Sequence, residues 1–397
     1  MPDKKQKTQN VNLTKNRNKA DKILYREYII TFIFIAFVFG MCILFFVLPK
    51  LPYSKNEKRY LADAPSFSLT TLFDGSFTDD TENYITDHIP FRDFYVGVNS
   101  YYDLASGRNG LKGVYFGSDG YLINDPVEKD NNIEKNVKIF AEFIKKNNFN
   151  ATLMVVPSTG YIEESKLPLL HKKYRDDKYF GIIEENKGNM DFIDLRGLMK
   201  QASSEGHQLY YKTDHHWTSY AAFLAYNELF TRKHMSYNQG IQYSRETYGD
   251  FYGTTYSTGA FWLTPSDDID LWYSNGWKDI NVSITEGNET KEYNTIFFKE
   301  HLNEDDKYPV FLDGNHALTK VKNGNAPANT RLLVIKDSFS HCFVPFLADN
   351  YSEILMVDLR YYKKPVSELA KNEHFGDVLI LYGLDNLATD TDIAFLE

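Results

Sequence analysis

The sequence predicts a three-layer α/β/α domain with a β-rich insertion, preceded by one N-terminal transmembrane helix. Three observations carry that expectation. An apolar run from Ile29 to Leu48 follows a basic leader. From about residue 130, short apolar runs alternate with amphipathic stretches. That rhythm breaks between about 240 and 325 and then resumes. Strands alternating with helices give a mostly parallel sheet covered on both faces.

Through Glu27 the leader holds eight Lys or Arg and three acids. It is polar, and disorder is expected there. Only Thr31 and Gly40 interrupt the apolar run. About 20 such residues at 1.5 Å each cross a hydrocarbon core of about 30 Å. A cleaved signal peptide has a shorter apolar region and a small-x-small site. Here Leu48-Pro49-Lys50-Leu51-Pro52 follows instead, so an uncleaved anchor at 28–49 is expected. The positive charges place the tail, 1–27, in the cytoplasm and the body outside.

Residues 50–125 hold turn signals at Asp74-Gly75, Asn109-Gly110 and Asp119-Gly120. They are expected to form a juxtamembrane region packed on a main domain at 126–397. In that domain, Ile133 to Lys146 has helical periodicity, and Ala151 to Val156 is a short apolar run stopped by Pro157. Glu184 to Asn189 closes a helical stretch, Met190 to Leu195 is a strand, and Trp217 to Phe230 is helical. The stretch from 240 to about 325, rich in Gly, Ser, Thr, Tyr and Trp, predicts short strands and loops. Strands then follow at Arg331 to Ile335, Glu353 to Asp358 and Asp377 to Tyr382. Helices are expected at Phe339 to Ala348, interrupted at Pro345, and at Val366 to Lys371.

The 397 residues are 43% hydrophobic and 25% charged, as in globular proteins. Aromatics reach 16%, which fits either an aromatic core or a sugar-stacking surface. The net charge is −10 and the leader is basic, so the body is more acidic still. That excludes a nucleic-acid partner. Cys42 lies in the apolar run and Cys342 in the body, so no disulfide framework is expected.

Two segments carry chemistry. Arg331 to Ile335 leads through Lys336-Asp337 to Ser338 and then a helix. A serine there lies beside N–H groups able to bind an oxyanion, such as that of Phe339. The alternative is a helix cap by Asp337 or Ser338. The second segment is Thr213-Asp214-His215-His216-Trp217-Thr218. An imidazole suits removal of a serine proton near neutral pH, and a carboxylate fixes its tautomer. Competing roles are zinc binding by Asp214, His215 and His216, a helix cap by Asp214 or Thr218, and a satisfied core histidine, expected for His215. Adjacent histidines usually point apart, which argues against zinc. Cys342 as nucleophile is the weaker alternative to Ser338, because small cysteines are commonly buried.

Asp214-His215-His216-Trp217 resembles the signature of the bacterial DHHW family, which is similar to the SGNH-hydrolase-like alginate O-acetyltransferases. Other matching stretches are Asn56-Glu57-Lys58-Arg59 with Leu61-Ala62, Asp87 to Arg92, Val114 to Gly120, Gly249 to Gly253 and Lys336 to Phe339. The resemblance implies a triad of Asp214, His216 and Ser338, with Trp217 completing the motif. The strand order, with the His loop ahead of the serine strand, is that of a circularly permuted SGNH fold. Lys336-Asp337 stands where the family has Gly-Asp before the serine. The oxyanion Gly and Asn are not evident; by strand position their places fall near Arg360-Tyr361 and Gly383 to Asn386.

The implied activity is acyl transfer, O-acetyl above all, to a cell-surface or secreted polysaccharide at the bacterial membrane. A carbohydrate esterase would use the same three residues. A non-catalytic polysaccharide-binding protein would use the aromatic stretch from Tyr243 to Trp277. No cofactor or metal is expected. A membrane-bound O-acyltransferase is the implied partner, because acetyl-CoA is not expected outside the cell.

Overall fold

The computed structural model describes residues 3–128, 131–233 and 240–396. The chain forms two compact units, Met1–Ser54 with Arg59–Val96, and Lys55–Lys58 with Gly97–Glu397. Residues 97–125 therefore cluster with the C-terminal body.

In the first unit one helix runs from Asp3 to Val47 and contains the apolar stretch Leu24–Val47. The leader is helical where disorder was expected. No Pro or Gly interrupts the chain from Asp3 to Phe39, so nothing halts helix propagation upstream of the apolar run. Beyond the helix, a short ribbon pairs Tyr53–Ser54 with Arg59–Tyr60. Arg59 grips Asp87 at the end of helix Ser76–His88 through two hydrogen bonds of 2.9 and 2.5 Å. Asp87 also accepts from Ala62 N at 2.9 Å, and the His88 ring bonds Ala62 O at 2.9 Å. The Arg59 fork holds the Asp87 carboxyl down at about 2 against the effect of burial. Two of the family-like stretches, around Arg59 and Asp87, thus meet as one charge cluster.

The second unit is built on an eight-stranded sheet. We number its strands β1 Ala151–Val156, β2 Asp191–Asp194, β3 Asn281–Glu286, β4 Glu289–Tyr293, β5 Leu318–Lys322, β6 Arg331–Lys336, β7 Glu353–Val357 and β8 Asp377–Gly383. Their spatial order is β4-β3-β5-β7-β6-β8-β1-β2. The run β7-β6-β8-β1-β2 is parallel and the other pairings are antiparallel. Side chains alternate between two cores, as a period of two demands. Met154, Val334 and Leu381 face one core, and Leu153, Leu333 and Ile380 face the other. Helices Ser219–Arg232 and Arg196–Ser204 pack on the first face, and Asn131–Asn147 and Asp176–Asn186 on the second. The mixed α/β architecture with a central, mostly parallel sheet is as expected.

Within 240–325 the expected short strands form, and three of them, β3 to β5, extend the main sheet. The others, Tyr243–Phe251 and Asp267–Ser274, make a separate two-stranded ribbon. Aromatics from Tyr243 to Trp277 mostly pack inward: Tyr243 and Trp272 lie against Phe223 and Phe346, and Trp277 lies against Phe297. The expected helix from Phe339 to Ala348 breaks into a 3-10 turn, Ser338–Ser340, and one α turn, Val344–Leu347. Pro345 opens that α turn rather than bending a longer helix, since a first turn needs no N–H from it.

Counted from β6, the parallel strands lie in the order 2-1-3-4-5, with the topological switch between β6 and β8. In such sheets the ligand crevice opens at the carboxyl ends beside that switch.

Candidate active site

β6 ends at Lys336, and Asp337 turns the chain out of the sheet. Its Oδ1 accepts from Phe339 N at 3.0 Å. Its Oδ2 accepts from Gly383 N and Asn386 Nδ2, both at 2.7 Å. One buried carboxylate therefore ties the carboxyl end of β6 to that of β8. Burial pushes its own pKa up against those donors. Ser338 follows at the switch point and is 7% exposed. Tyr308 donates from its hydroxyl to Ser338 O at 3.2 Å.

The histidine segment is a closed loop. Tyr211 N bonds His216 O at 3.2 Å, and Thr218 N bonds Leu209 O at 2.8 Å. Buried Asp267 clamps the loop from below. It accepts from Lys212 N at 2.9 Å, Thr213 N at 2.8 Å, Thr213 Oγ1 at 2.6 Å and Gln208 Nε2 at 2.9 Å. Out of this loop His216 places Nε2 2.7 Å from Ser338 Oγ. Its Nδ1 lies 2.5 Å from Asp214 Oδ1, and the Tyr308 ring stacks flat on it with centroids 3.8 Å apart.

Asp214 is fully enclosed. Oδ1 also accepts from His216 N at 2.8 Å, and Oδ2 accepts from Thr254 N at 2.7 Å and Thr254 Oγ1 at 3.1 Å. Burial alone would raise its pKa, but the two imidazoles and these donors prevail and hold it well below the carboxylate range. Gly253 makes the approach of Thr254 feasible, because a Cβ there would stand 2.1 Å from Asp214 Cβ. Chemically, a hydroxyl can pass its proton to an imidazole whose other nitrogen is held by an ionised carboxylate.

Asp214, His215 and His216 offer ligand atoms within 4.8 Å of one another. The two rings do not point apart as expected; the bent backbone brings their centroids to 3.8 Å. The donor set still fits a metal poorly. Both His216 nitrogens face protein partners, and His215 Nδ1 lies 2.6 Å from Thr254 Oγ1. His215 is not the core histidine expected. It is half-buried and lines a cleft, where desolvation and the neighbouring imidazole lower its pKa to about 4. Thr218, not Asp214, caps helix Ser219–Arg232. Cys342 is buried, and burial pushes its thiol up to about 12.

The cleft holds about 300 Å3 and includes Phe339, Gly383 and Asn386 among its walls, with Ser158, Thr254 and Asp385. The N–H groups of Phe339 and Gly383 serve Asp337. Trp217 is buried and donates from Nε1 to Phe339 O at 2.9 Å, bracing the Ser338 turn from behind. Arg360 and Tyr361 are not among the lining residues. Arg360 is committed to Asp358 and Asn315. Asp358 in turn pairs with the buried Lys336, whose Nζ lies 2.8 Å from His341 Nε2. Asp267, Tyr308 and Thr254 were not singled out as site residues from sequence. Only Gly249 to Gly253, beside Thr254, carried a motif signal.

Residues 181–357 match the model of the DHHW protein family. The resemblance carried by Asp214 to Trp217 is thereby borne out. The fold is similar to that of a DHHW family protein from Eubacterium siraeum, at 20% identity and a TM-score of 0.60 over 72% of this chain and 97% of that one. It is equally similar to PatB1 of Bacillus cereus, solved with a sulfonyl adduct, at 22% identity, 0.60, and the same shares of each chain. In sequence, a probable alginate O-acetylase, AlgJ of Pseudomonas fluorescens, is 24% identical over 172 residues, which is 40% of this chain. The match spans 43% of the length of that relative.

Proposed function

We propose that this protein transfers an O-acyl group, acetyl above all, to a cell-surface or secreted polysaccharide, with Ser338 as nucleophile. The observation that carries the reading is the continuous chain Ser338 Oγ, His216 Nε2, His216 Nδ1 and Asp214 Oδ1, at 2.7 and 2.5 Å. His216 takes the hydroxyl proton as Ser338 attacks the acyl carbonyl. The ionised Asp214 fixes the ring tautomer and stabilises the imidazolium. The amide of Ser338 and the second N–H of Asn386, a residue that lines the cleft, are the donors we assign to the oxyanion. His216 returns its proton to the leaving group. It then deprotonates a sugar hydroxyl, which attacks the acyl-serine, and hands that proton to Ser338 Oγ as the serine ester bond breaks.

The 2-1-3-4-5 strand order counted from β6 supports a circularly permuted SGNH-like fold. The likeness to a probable alginate O-acetylase supports a polysaccharide acceptor. The apolar helix Leu24–Val47, none of it buried, supports an uncleaved anchor at 28–49, a cytoplasmic tail at 1–27 and an extracytoplasmic body. In this scheme residues 50–125 form a juxtamembrane region and 126–397 the catalytic domain. Acyl groups then reach Ser338 through a membrane-bound O-acyltransferase. If water replaced the sugar hydroxyl, the same groups would make an esterase.

The test is hydrolysis of a chromogenic acetyl ester, alongside acetylation of surface polymer in cells. Both should collapse in Ser338→Ala and in His216→Ala. Unchanged activity in both variants would remove the assignment. Loss of ester hydrolysis with a rise in polymer acetylation would identify an esterase.

A further inference from the structure

The first compact unit carries an apolar surface that acyl transfer does not use. Phe67, Phe73, Phe91 and Phe94 are 65%, 85%, 61% and 66% exposed. Monomeric soluble proteins rarely leave a surface of this kind in water. The same segment closes a groove of about 590 Å3 against the apolar helix. Ile85, Ile89, Pro90 and Tyr95 form one wall, and helix residues between Phe37 and Phe46 form the other. Among the described residues, no charged side chain lines it.

Depth decides what fills that groove. Lys50 marks one end: its Nζ sits 3.5 Å from the Phe45 ring centroid, bonds the Phe45 carbonyl and lies 3.5 Å from His88 O. An ammonium placed so belongs at the membrane–water boundary. Phe37 lies a further two turns down the helix, roughly 12 Å below Phe45. The groove therefore runs from the boundary into the outer half of the span.

We propose that the apolar face of the segment from Phe67 to Tyr95 is embedded in the outer leaflet, with lipid acyl chains filling the groove. A wall shared with a membrane span meets the medium that surrounds the span. The exposed phenylalanines suit the headgroup–acyl boundary, where the apolar faces of interfacial segments carry Trp, Phe and Leu. The exposed acids Asp74, Asp79, Asp80 and Glu82 lie in the same segment. They repel anionic headgroups, so the apolar side chains supply the attraction and a zwitterionic bilayer suffices. The proposal rests on reading Leu24–Val47 as a span, and its test separates the two.

Full-length protein is prepared in the Cys42→Ser background, since the other cysteine, Cys342, is buried. Single Phe34→Cys, Phe73→Cys, Glu82→Cys and Phe94→Cys variants carry a nitroxide in nanodiscs of phosphatidylcholine. Collision with oxygen is compared with collision with a water-soluble nickel chelate. Labels at 73 and 94 should follow position 34, with an oxygen-to-nickel ratio several-fold above that at 82. Labels at 73 and 94 that follow position 82 overturn the proposal. So does shielding from both reagents, which would mean protein covers the surface. A water-exposed label at 34 overturns the span itself and this inference with it.

Discussion

Replacing Gly253 by alanine isolates the part of the site that depends on space alone. Gly253 has φ −98° and ψ −163°, a backbone open to any residue, so no strain accompanies the substitution. The added Cβ would stand 2.1 Å from Asp214 Cβ and 2.3 Å from Asp214 Oδ2. Carbon atoms settle at about 3.5 Å or more, so one side must retreat by more than about 1 Å. If Asp214 moves, its 2.5 Å contact with His216 Nδ1 is lost. If residues 253–254 move, Oδ2 loses Thr254 N at 2.7 Å and a buried carboxylate is left short of a donor. A displacement of about 1 Å costs on the order of 100-fold, and loss of a triad carboxylate about 10,000-fold, so kcat should fall between those bounds. The assay is acetyl-ester hydrolysis, with thermal unfolding followed by circular dichroism on the same samples. Gly249→Ala is the control, since its Cβ meets only Asp268 Oδ1 at 3.4 Å. A Gly253→Ala variant within about threefold of the parent, less than 1 kcal/mol of barrier, would refute the reasoning.

Three further outcomes follow from the same geometry. Asp267→Asn turns an amide N–H toward donors that now share two carboxylate oxygens, so kcat should fall at least tenfold and stability by about 1–3 kcal/mol, read by kinetics and urea unfolding. Tyr308→Phe removes the bond to Ser338 O but keeps the ring over His216, so kcat should drop by less than about tenfold; Tyr308→Ala should cost more. Buried Asp176 has its pKa raised to about 7 by desolvation. The folded state then holds a proton that the unfolded state releases near 4, so this group's stabilisation is full below about 4 and declines as pH rises to 7. Asp176→Asn should therefore raise Tm at pH 7.5, by at most about 4 kcal/mol of stability, with the gain fading at pH 4.

Much of the fold was legible because buried parallel strands are unbroken apolar runs. Ala151–Val156 was delimited to the residue, and Arg331, Glu353 and Asp377 were each the true first residue of a strand. The strands at 281–322 were harder to place, since β3 and β5 bury only alternate residues and β4 buries none, all amid polar turns. Helix Arg196–Ser204 escaped notice because Met199 and Ala202 are its only buried residues. In the site, Ser338, His216 and Asp214 stood out because local spacing and family likeness both mark them. Asp267 acts on Thr213 from 54 positions away, and Thr254 on Asp214 from 40. Nothing in their own neighbourhoods signals that reach. Asp337 was weighed as a helix cap, and it is one, but its second oxygen also holds the next strand.

The most direct test of a Ser338 nucleophile is the covalent adduct. Full-length protein is treated with a sulfonyl fluoride, or with an activated acetyl ester and quenched in acid, and the modified peptide is identified by mass spectrometry. The modification should sit on Ser338, vanish in Ser338→Ala and form far more slowly in His216→Ala. A modification that persists in Ser338→Ala, or that falls on Cys342 or Ser340, would contradict the account.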